Sequence, residues 1–320
     1  MKNVVVLLFS IVFCFSGCSG EMAGNSMDSK FKGQFDSVEE FLKFYGLEFE
    51  GVEHEFVAFE SSEFELAGHI FWPKEYKATV FIVHGYLCHS GLLKNIIGYL
   101  TGEGYAVACF DLQGHGLSSG EATAIDDFGQ YGEALRGFVD AVRDKVKPPY
   151  HVIGHSTGAS AVIDCLLEGK GDDFEKVVLV SPLIRSVLWK ISEVLHEPYS
   201  RFSQKIIRVF RNSSHDKEYL AFARNEDRLA AREVSLRWTK ALFEWNDKIA
   251  ELAPCSTKIK VIQGTEDRIV AWRYNMEFIK EKFVNADIVL IKDGRHELFN
   301  ESEDLRQQVF SQVSNYLVDK

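Results

Sequence analysis

Short apolar runs alternate with amphipathic stretches along most of the chain. The runs 78–83, 105–110 and 259–262 are almost wholly hydrophobic, as is typical of strands that are buried on both faces. In the intervening stretches, such as 125–145, apolar residues recur every three or four positions and predict helices. We therefore predict an α/β fold, in which a mostly parallel central sheet is flanked by helices.

The pattern predicts the order of elements. Predicted strands span residues 54–60, 64–72, 78–83, 105–110, 150–153, 177–180, 259–262 and 288–291. Predicted helices span residues 30–50, 90–102, 125–145, 156–168, 270–283 and 303–318. The first two strands alternate in polarity, which suits an antiparallel pair at the sheet edge.

Between the sixth strand and residue 250 the alternation stops. We predict a helical cap over 183–250, inserted into a core made of 51–182 and 251–320. Two apolar stripes in the cap are expected to be helical. They comprise Leu183, Ile184, Val187, Leu188, Trp189, Ile191 and Val194, and then Ile206, Ile207, Val209 and Phe210. Such stripes usually pack on a core, but part of them could instead line a tunnel for an acyl chain.

The N-terminus has the pattern of an export signal. A short basic start precedes the apolar run 4–15, which is too short to span a bilayer stably, so we predict a signal peptide over 1–17. Small residues before Cys18 resemble the lipobox of bacterial lipoproteins, although Phe15 stands where leucine is usual. The resemblance implies that Cys18 is lipidated and begins a lipidated N-terminus and leading helix over 18–50. Ordinary secretory cleavage and an uncleaved anchor are the alternatives.

The predicted signal peptide and the lipobox resemblance together predict an exported lipoprotein that is anchored in a membrane of the cell envelope. Ser19 after the cysteine resembles a signal for outer-membrane sorting, should the cell have an outer membrane. The net charge of −11, from 36 basic and 47 acidic residues, argues against nucleic acid as a partner.

The cysteines show no metal-binding spacing. Cys14 lies in the predicted signal peptide, and Cys88, Cys109, Cys165 and Cys255 form no CxxC pair, so we expect no metal site. Whether these last four form disulfides is left open by the sequence.

The strongest chemical signal is Gly154-His155-Ser156-Thr157-Gly158, a G-x-S-x-G motif between a predicted strand and a predicted helix. That context is required of a nucleophile elbow, in which a sharp turn presents the serine hydroxyl at the carboxyl end of the sheet. Glycines are needed on both sides because side chains there would collide with the neighbouring backbone. Ser156 is thus the candidate nucleophile.

A serine nucleophile needs a base and an acid that orients the base, and in this chain order the acid precedes the histidine. Asp267 follows a late strand and is the preferred acid, with Glu266 as the alternative. His296 follows the last predicted strand and is the candidate base.

The oxyanion of an acyl-transfer reaction needs two N–H donors. We expect them from the backbone of Thr157, after the nucleophile, and of Tyr86, in the loop after strand 78–83. His84, His115 and His155 are expected to bond to backbone or hold loops together rather than to act on substrate.

Five runs together resemble one branch of a known family. They are His-Gly-Tyr-Leu-Cys-His-Ser-Gly at 84–91, Phe-Asp-Leu-Gln-Gly-His-Gly-Leu-Ser-Ser-Gly at 110–120, the motif at 154–158, Gly-Thr-Glu-Asp at 264–267 and His-Glu-Leu-Phe-Asn-Glu at 296–301. In this order they are similar to the monoacylglycerol lipase and lysophospholipase-like branch of the α/β-hydrolases, which is grouped with serine aminopeptidases. The cap is the weakest match.

The resemblance implies the α/β-hydrolase fold, with Ser156, Asp267 and His296 as catalytic triad and with Tyr86 and Thr157 as oxyanion donors. It implies no cofactor and no metal. The implied substrates are small-molecule esters with one long acyl chain, such as a monoacylglycerol or a lysophospholipid.

Three other functions stay open. An aminopeptidase would need carboxylates in the cap for the substrate amine, and Glu193, Glu197 and Glu226 are the candidates. A short-chain carboxylesterase would use the same triad. A binding protein that merely keeps the fold is the third. The exact substrate, the oligomeric state and the membrane concerned are not determined by the sequence.

Overall fold

A central sheet organises the fold in the computed structural model, which describes residues 33–319. The strands are β1 (Val52–Ser61), β2 (Phe64–Pro73), β3 (Thr79–Val83), β4 (Ala106–Phe110), β5 (Tyr150–His155), β6 (Phe174–Val180), β7 (Lys205–Ile207), β8 (Glu233–Ser235), β9 (Ile259–Gly264) and β10 (Ala286–Ile291). The helices are α1 (Val38–Tyr45), α2 (Lys94–Gly102), α3 (Gly129–Val142), α4 (Thr157–Leu167), α5 (Trp189–Ser200), α6 (Lys217–Asn225), α7 (Leu236–Glu251), α8 (Trp272–Lys282) and α9 (Glu303–Val318).

Eight of these strands form the sheet, in the order β1-β2-β4-β3-β5-β6-β9-β10. Strand β2 is antiparallel to both β1 and β4, and every other neighbouring pair is parallel. This confirms the predicted mostly parallel sheet with an antiparallel pair at its edge. The carboxyl ends of the parallel strands therefore meet at one edge of the sheet, where their loops can converge.

The apolar core lies in two layers, one on each face of the sheet. In β3, Phe81 and Val83 point into one layer while Val80 and Ile82 point into the other, as the two-residue period of a strand requires. Residues of α3, α4, α7 and α8 contribute to the first layer, and residues of α1, α2 and α9 to the second. Both faces being covered explains why the parallel strands have continuous apolar sequences.

The cap lies between β6 and β9, which confirms an insertion after the sixth strand. It contains α5, α6, α7 and a second sheet in which β7 pairs antiparallel with β8. The prediction of a helix through 206–210 was wrong, because Ile206 and Ile207 belong to β7 and pair with residues more than twenty-five positions away. The first stripe is helical only from Trp189 onward. Short apolar clusters fit either period, so only the distant partner decides between them.

The predicted signal peptide and the lipidation of Cys18 lie outside the described residues and stay predictions. Of the predicted leading helix, the described part contains α1. Over residues 33–319, no helix has the length and apolar character to cross a membrane. The sequence left open whether four cysteines form disulfides. In the structure all four are free thiols: Cys88, Cys109, Cys165 and Cys255.

Candidate active site

Ser156 lies on a sharp turn between β5 and α4. Its backbone has φ 51° and ψ −113°, a left-handed conformation that is unusual for a residue with a side chain. The turn is held on both sides: the Ser156 N–H donates to the Val180 carbonyl at 3.0 Å, and its carbonyl accepts from the Leu183 N–H at 3.2 Å. Strain of about 1–3 kcal/mol at such a position persists only where the surroundings fix it, which is common at functional sites.

The two glycines of the motif are required by close packing. A Cβ on Gly158 would lie 2.0 Å from the Val83 carbonyl oxygen. A Cβ on Gly154 would lie 2.6 Å from the Cα of Ala159. The predicted reason for glycine at both positions is thereby confirmed.

The structure brings Ser156, His296 and Asp267 together, although they lie in three separate loops. His296 Nε2 is 3.0 Å from Ser156 Oγ, and His296 Nδ1 is 2.8 Å from Asp267 Oδ2. All three residues are buried. Glu266, the alternative acid, instead has a side chain that is 46% exposed and pairs with Arg268. The geometry therefore favours Asp267 as the partner of the histidine.

The carboxylate of Asp267 has four hydrogen-bond donors. Oδ1 accepts from the N–H groups of Ile269 and Val270, and Oδ2 accepts from Gln263 Nε2 as well as from the histidine ring. Burial alone would raise the pKa of Asp267, but the charge and hydrogen bond of His296 and these N–H groups outweigh it and lower the pKa. The acid is thus held ionised and fixed in orientation.

The loop that carries His296 is fixed through its own backbone. The His296 carbonyl accepts from His155 Nε2 at 3.1 Å and from Ser181 Oγ at 2.9 Å. His155 flanks the nucleophile and Ser181 follows β6, so the neighbouring strands position the base. Ser181 and Gln263 were missed by the sequence reasoning, because neither belongs to a recognisable motif. Their place directly at the end of a buried strand is the signal that could have indicated them.

The loop after β3 passes directly beside the nucleophile. A Cβ on Gly85 would lie 3.0 Å from Ser156 Cβ, so only glycine allows this approach. Within residues 33–319, the N–H groups of Tyr86 and Thr157 have no hydrogen-bond acceptor, and both residues line the same cavity as Ser156. Both candidate oxyanion donors are therefore free to donate and belong to the cavity that contains Ser156.

The side chain of Tyr86 joins the core to the cap. Its hydroxyl donates to the Thr123 carbonyl at 2.7 Å and accepts from the Ser235 N–H at 3.2 Å. Its ring stacks on Trp238, with centroids 3.7 Å apart. The ring of Tyr86 therefore forms part of the cavity wall and links the loop after β3 to the cap.

Buried side chains hold the loops around the site, as expected for the histidines. Asp111 accepts from the N–H groups of Ser90 and Leu117, each at 2.7 Å. His84 Nε2 accepts from the Leu112 N–H, and His115 Nδ1 lies 2.8 Å from the Gln113 carbonyl oxygen. These contacts support the loop geometry and leave the histidines bonded to backbone.

A cavity of about 370 Å³ opens between the cap and the sheet and contains Ser156 and His296. The two predicted apolar stripes divide between several surroundings. Leu183, Val187, Ile206, Ile207, Val209 and Phe210 line the cavity, whereas Ile184 and Trp189 belong to the buried core. Leu188, Ile191 and Val194 are exposed and do not line the cavity. Part of the stripes thus forms an apolar wall beside the nucleophile.

One group of possible metal ligands occurs within residues 33–319: His155, His296 and Glu297, whose ligand atoms lie within 4.8 Å of one another. Both ring nitrogens of His296 already face Ser156 and Asp267, and His155 Nε2 faces a carbonyl. The triad-like arrangement accounts for this proximity without an ion.

The sheet order, the elbow after β5 and the cap after β6 define an α/β-hydrolase. A family model described as "Serine aminopeptidase, S33" matches residues 74–303, which is more than two thirds of the chain. The chain belongs to this family, within the lipase-like branch of the α/β-hydrolases.

Named relatives cover most of the chain. It is 22% identical over 250 residues to a monoglyceride lipase homolog of monkeypox virus, covering 76% of this chain and 90% of the relative. It is 24% identical over 249 residues to phospholipase YtpA of Bacillus subtilis, covering 73% of this chain and 92% of the relative. A solved soluble variant of monoglyceride lipase from Saccharomyces cerevisiae, in complex with a substrate analogue, superposes with a TM-score of 0.70 at 18% identity. That superposition covers 82% of this chain and 94% of the yeast chain, and it shows the shared fold.

Proposed function

We propose that this protein is a serine hydrolase that cleaves carboxylic esters through an acyl-enzyme, with Ser156 as nucleophile, His296 as base and Asp267 as orienting acid. The observation that carries the proposal is the hydrogen-bond chain from Ser156 Oγ through both nitrogens of His296 to Asp267, with links of 3.0 and 2.8 Å. Nucleophile, base and orienter within such reach are the signature of an activated serine.

In the proposed mechanism, His296 Nε2 takes the proton of Ser156 as the hydroxyl attacks the ester carbonyl. The N–H groups of Tyr86 and Thr157 stabilise the oxyanion that forms. His296 then gives the proton to the leaving alcohol, which departs and leaves an ester on Ser156 Oγ. Water, deprotonated by the same imidazole, attacks this ester and restores the hydroxyl.

The proposed base should give the activity a characteristic pH dependence. Burial disfavours the charged imidazole, but the charge and hydrogen bond of Asp267 outweigh this and raise the pKa of His296 above its ordinary value near 6.5. Only the neutral ring can accept a proton, so kcat/KM should be maximal above the raised pKa and fall about tenfold per pH unit below it. Initial rates with a soluble nitrophenyl ester between pH 4 and 9 would measure this, and a flat profile down to about pH 4 would contradict the assignment.

Several observations support lipid-like esters as substrates. The cavity wall beside Ser156 is formed by aliphatic and aromatic side chains of the cap, which suits an acyl chain. Relatives that span the same region are named as a monoglyceride lipase homolog and a phospholipase. Anchoring through Cys18, predicted from the sequence alone, would place the enzyme beside such substrates.

The family description favours a second candidate, an aminopeptidase. It would need carboxylates in the cavity to bind the substrate amine, but Glu193, Glu197 and Glu226 do not line the cavity. Asp227 and Glu297 do line it, although Asp227 is bonded to His89 and Glu297 accepts a hydrogen bond from Tyr219. The contacts made by these two carboxylates favour the ester hydrolase.

A substrate panel distinguishes the candidates. Nitrophenyl esters from acetyl to palmitoyl should show kcat/KM rising from acetyl to decanoyl, since longer chains bury more surface on the apolar wall. Amino-acid nitroanilides should be poor substrates, and the Ser156→Ala variant controls for uncatalysed hydrolysis. A strict preference for acetyl would indicate a short-chain esterase, and cleavage of nitroanilides without ester cleavage would indicate the aminopeptidase.

A further inference from the structure

Three arginines of the cap meet at the cavity that contains the nucleophile. Arg208 and Arg211 come from the segment after β7, and Arg224 comes from the last turn of α6. We call these three residues the arginine cluster. In a chain with a net charge of −11, such a local excess of positive charge is unexpected from composition alone.

Within residues 33–319, no carboxylate lies within 4 Å of a guanidinium nitrogen of this cluster. Their hydrogen bonds go to backbone carbonyls instead: Arg208 to Leu87 and Ala231, Arg211 to Arg268, and Arg224 to Phe210. Carbonyl oxygens satisfy some N–H groups but form no ion pair with the guanidinium groups. Most other arginines of the cap, such as Arg201, Arg228 and Arg237, do have carboxylate partners.

The ring of Phe210 contacts two members of the cluster, Arg208 and Arg224. The guanidinium carbons of Arg208 and Arg224 lie 4.3 and 5.8 Å from the centroid of this ring. The guanidinium carbon of Arg232, which is not part of the cluster, lies 5.4 Å from the same centroid. Stacking on a ring leaves the N–H edges of a guanidinium free to bind a ligand. Like charges that line one cavity repel one another, and an anion bound between them would offset this repulsion.

Arg208 is the member closest to the proposed chemistry. Its Nη1 contacts the carbonyl of Leu87, the residue after the proposed oxyanion donor Tyr86. Burial lowers the pKa of Arg208, so its charge is held in a partly desolvated position. Two carboxylates of the same cavity, Asp227 and Glu297, act on this charge from beyond ion-pair distance and offset part of the effect of burial. Asp227 is also hydrogen-bonded to His89 and Tyr45, and Glu297 accepts a hydrogen bond from Tyr219.

We propose that the arginine cluster is a subsite for a phosphate carried by the ester substrate, so that the enzyme prefers single-chain phosphate-bearing esters over neutral ones. Several guanidinium groups offer paired N–H donors that match phosphate oxygens better than a neutral glycerol group. Arg208 contacts the residue after Tyr86, and the cluster lines the same cavity as Ser156, so one substrate could reach both. This inference rests on the proposed ester hydrolysis and narrows its substrate class.

The test compares two esters that differ only in the phosphate: 1-palmitoylglycerol and 1-palmitoylglycerol 3-phosphate, both in detergent solution with the full chain. The measured quantity is the ratio of their kcat/KM values. We expect the phosphate ester to be preferred by tenfold or more. Arg224→Gln and Arg211→Gln should each reduce the ratio, up to about tenfold to hundredfold for a lost charge-assisted hydrogen bond.

Two control variants test whether the positive charge of the cluster, rather than the loss of any arginine side chain, determines the kcat/KM ratio. Arg201→Gln, at an exposed cap position paired with Glu197, should leave the ratio unchanged, and Arg224→Lys should retain part of the preference. Arg208→Gln is a weaker test alone, because this side chain also holds Leu87 and its loss could move the oxyanion loop. The exposed Arg211 and Arg224 make no such contact, so their variants test the subsite with the loop intact.

The outcomes separate this inference from the proposed function. Cleavage of both esters with a ratio of one or less, or a ratio that is unchanged in the Arg211 and Arg224 variants, overturns the subsite and leaves ester hydrolysis standing. Cleavage of neither ester, nor of any nitrophenyl ester, overturns ester hydrolysis itself. Inorganic phosphate serves as a competitor: inhibition of nitrophenyl ester cleavage without preference for the phosphate ester would indicate a site for free phosphate and would overturn the substrate assignment.

Discussion

Replacing Ser156 with alanine is expected to lower kcat for ester hydrolysis on the order of 10⁶-fold, because it removes the hydroxyl that His296 would activate to attack the carbonyl. The hydroxyl that is lost is the one 3.0 Å from His296 Nε2. Alanine keeps the backbone turn and the hydrogen bonds to Val180 and Leu183, so the fold should be retained. Initial rates with a nitrophenyl ester and labelling by a fluorophosphonate both report on the hydroxyl.

A matched control lies one turn along the same helix. Ser160 is also buried, but its hydroxyl donates to the Leu183 carbonyl at 2.6 Å and does not face His296. Ser160→Ala should therefore remain reactive toward the fluorophosphonate, with a loss of stability of about 1 kcal/mol for the hydrogen bond. Undiminished labelling of Ser156→Ala would mean that another residue is the nucleophile.

The arrangement of Ser156, Asp267 and His296 was foreseeable because each is attached to a local pattern. The serine lies in a five-residue motif between a strand and a helix, and the other two residues follow strands that the apolar runs had located. Parallel strands bring their carboxyl ends to one edge, so residues distant in sequence meet there once the strand order is right. The motif identifies the serine, and the predicted fold class indicates that the loops carrying the other two residues lie near it.

The particular contacts that hold this arrangement in place could not be foreseen. Ser181 and His155 donate hydrogen bonds to the carbonyl of His296. To predict these bonds, one would need the relative positions of three separate loops. The pair formed by His89 and Asp227 joins residues 138 positions apart. Contacts of this kind carry no periodicity. The sequence can indicate a residue, such as Ser181 by its place after a strand or His155 by its place in the motif, but it does not indicate the partner.

In the cap, secondary structure also depends on contacts with distant residues and could not be predicted from the local sequence. Ile206 and Ile207 have the spacing of a helical stripe, yet they form a short strand because the segment around Val234 lies beside them. In the central sheet, the long apolar runs and their regular spacing distinguish strands from helices. In the cap the elements are short, and their conformation follows from contacts with distant segments rather than from local preference.

The Asp267→Asn variant is expected to lower kcat by roughly 10⁴-fold while leaving the fold almost unchanged. Asparagine is nearly isosteric, and its carbonyl oxygen can still accept from the N–H groups of Ile269 and Val270. Its amide would then face His296 Nδ1 as a donor. That bond favours the tautomer with the proton on Nε2, and this tautomer cannot accept the proton of Ser156.

The same variant should also change the pH dependence, which a merely structural role would not do. Asp267 raises the pKa of His296 against the effect of burial through its charge and its hydrogen bond, and the charge of Glu297 contributes less. Without the charge of Asp267, burial dominates and lowers that pKa, so the acidic limb of the residual activity should move to lower pH. Glu266→Gln is the control, since this exposed neighbour pairs with Arg268 and should change neither kcat nor the profile. If Glu266→Gln costs as much activity as Asp267→Asn, or if the acidic limb stays in place in Asp267→Asn, the orienting acid is not Asp267.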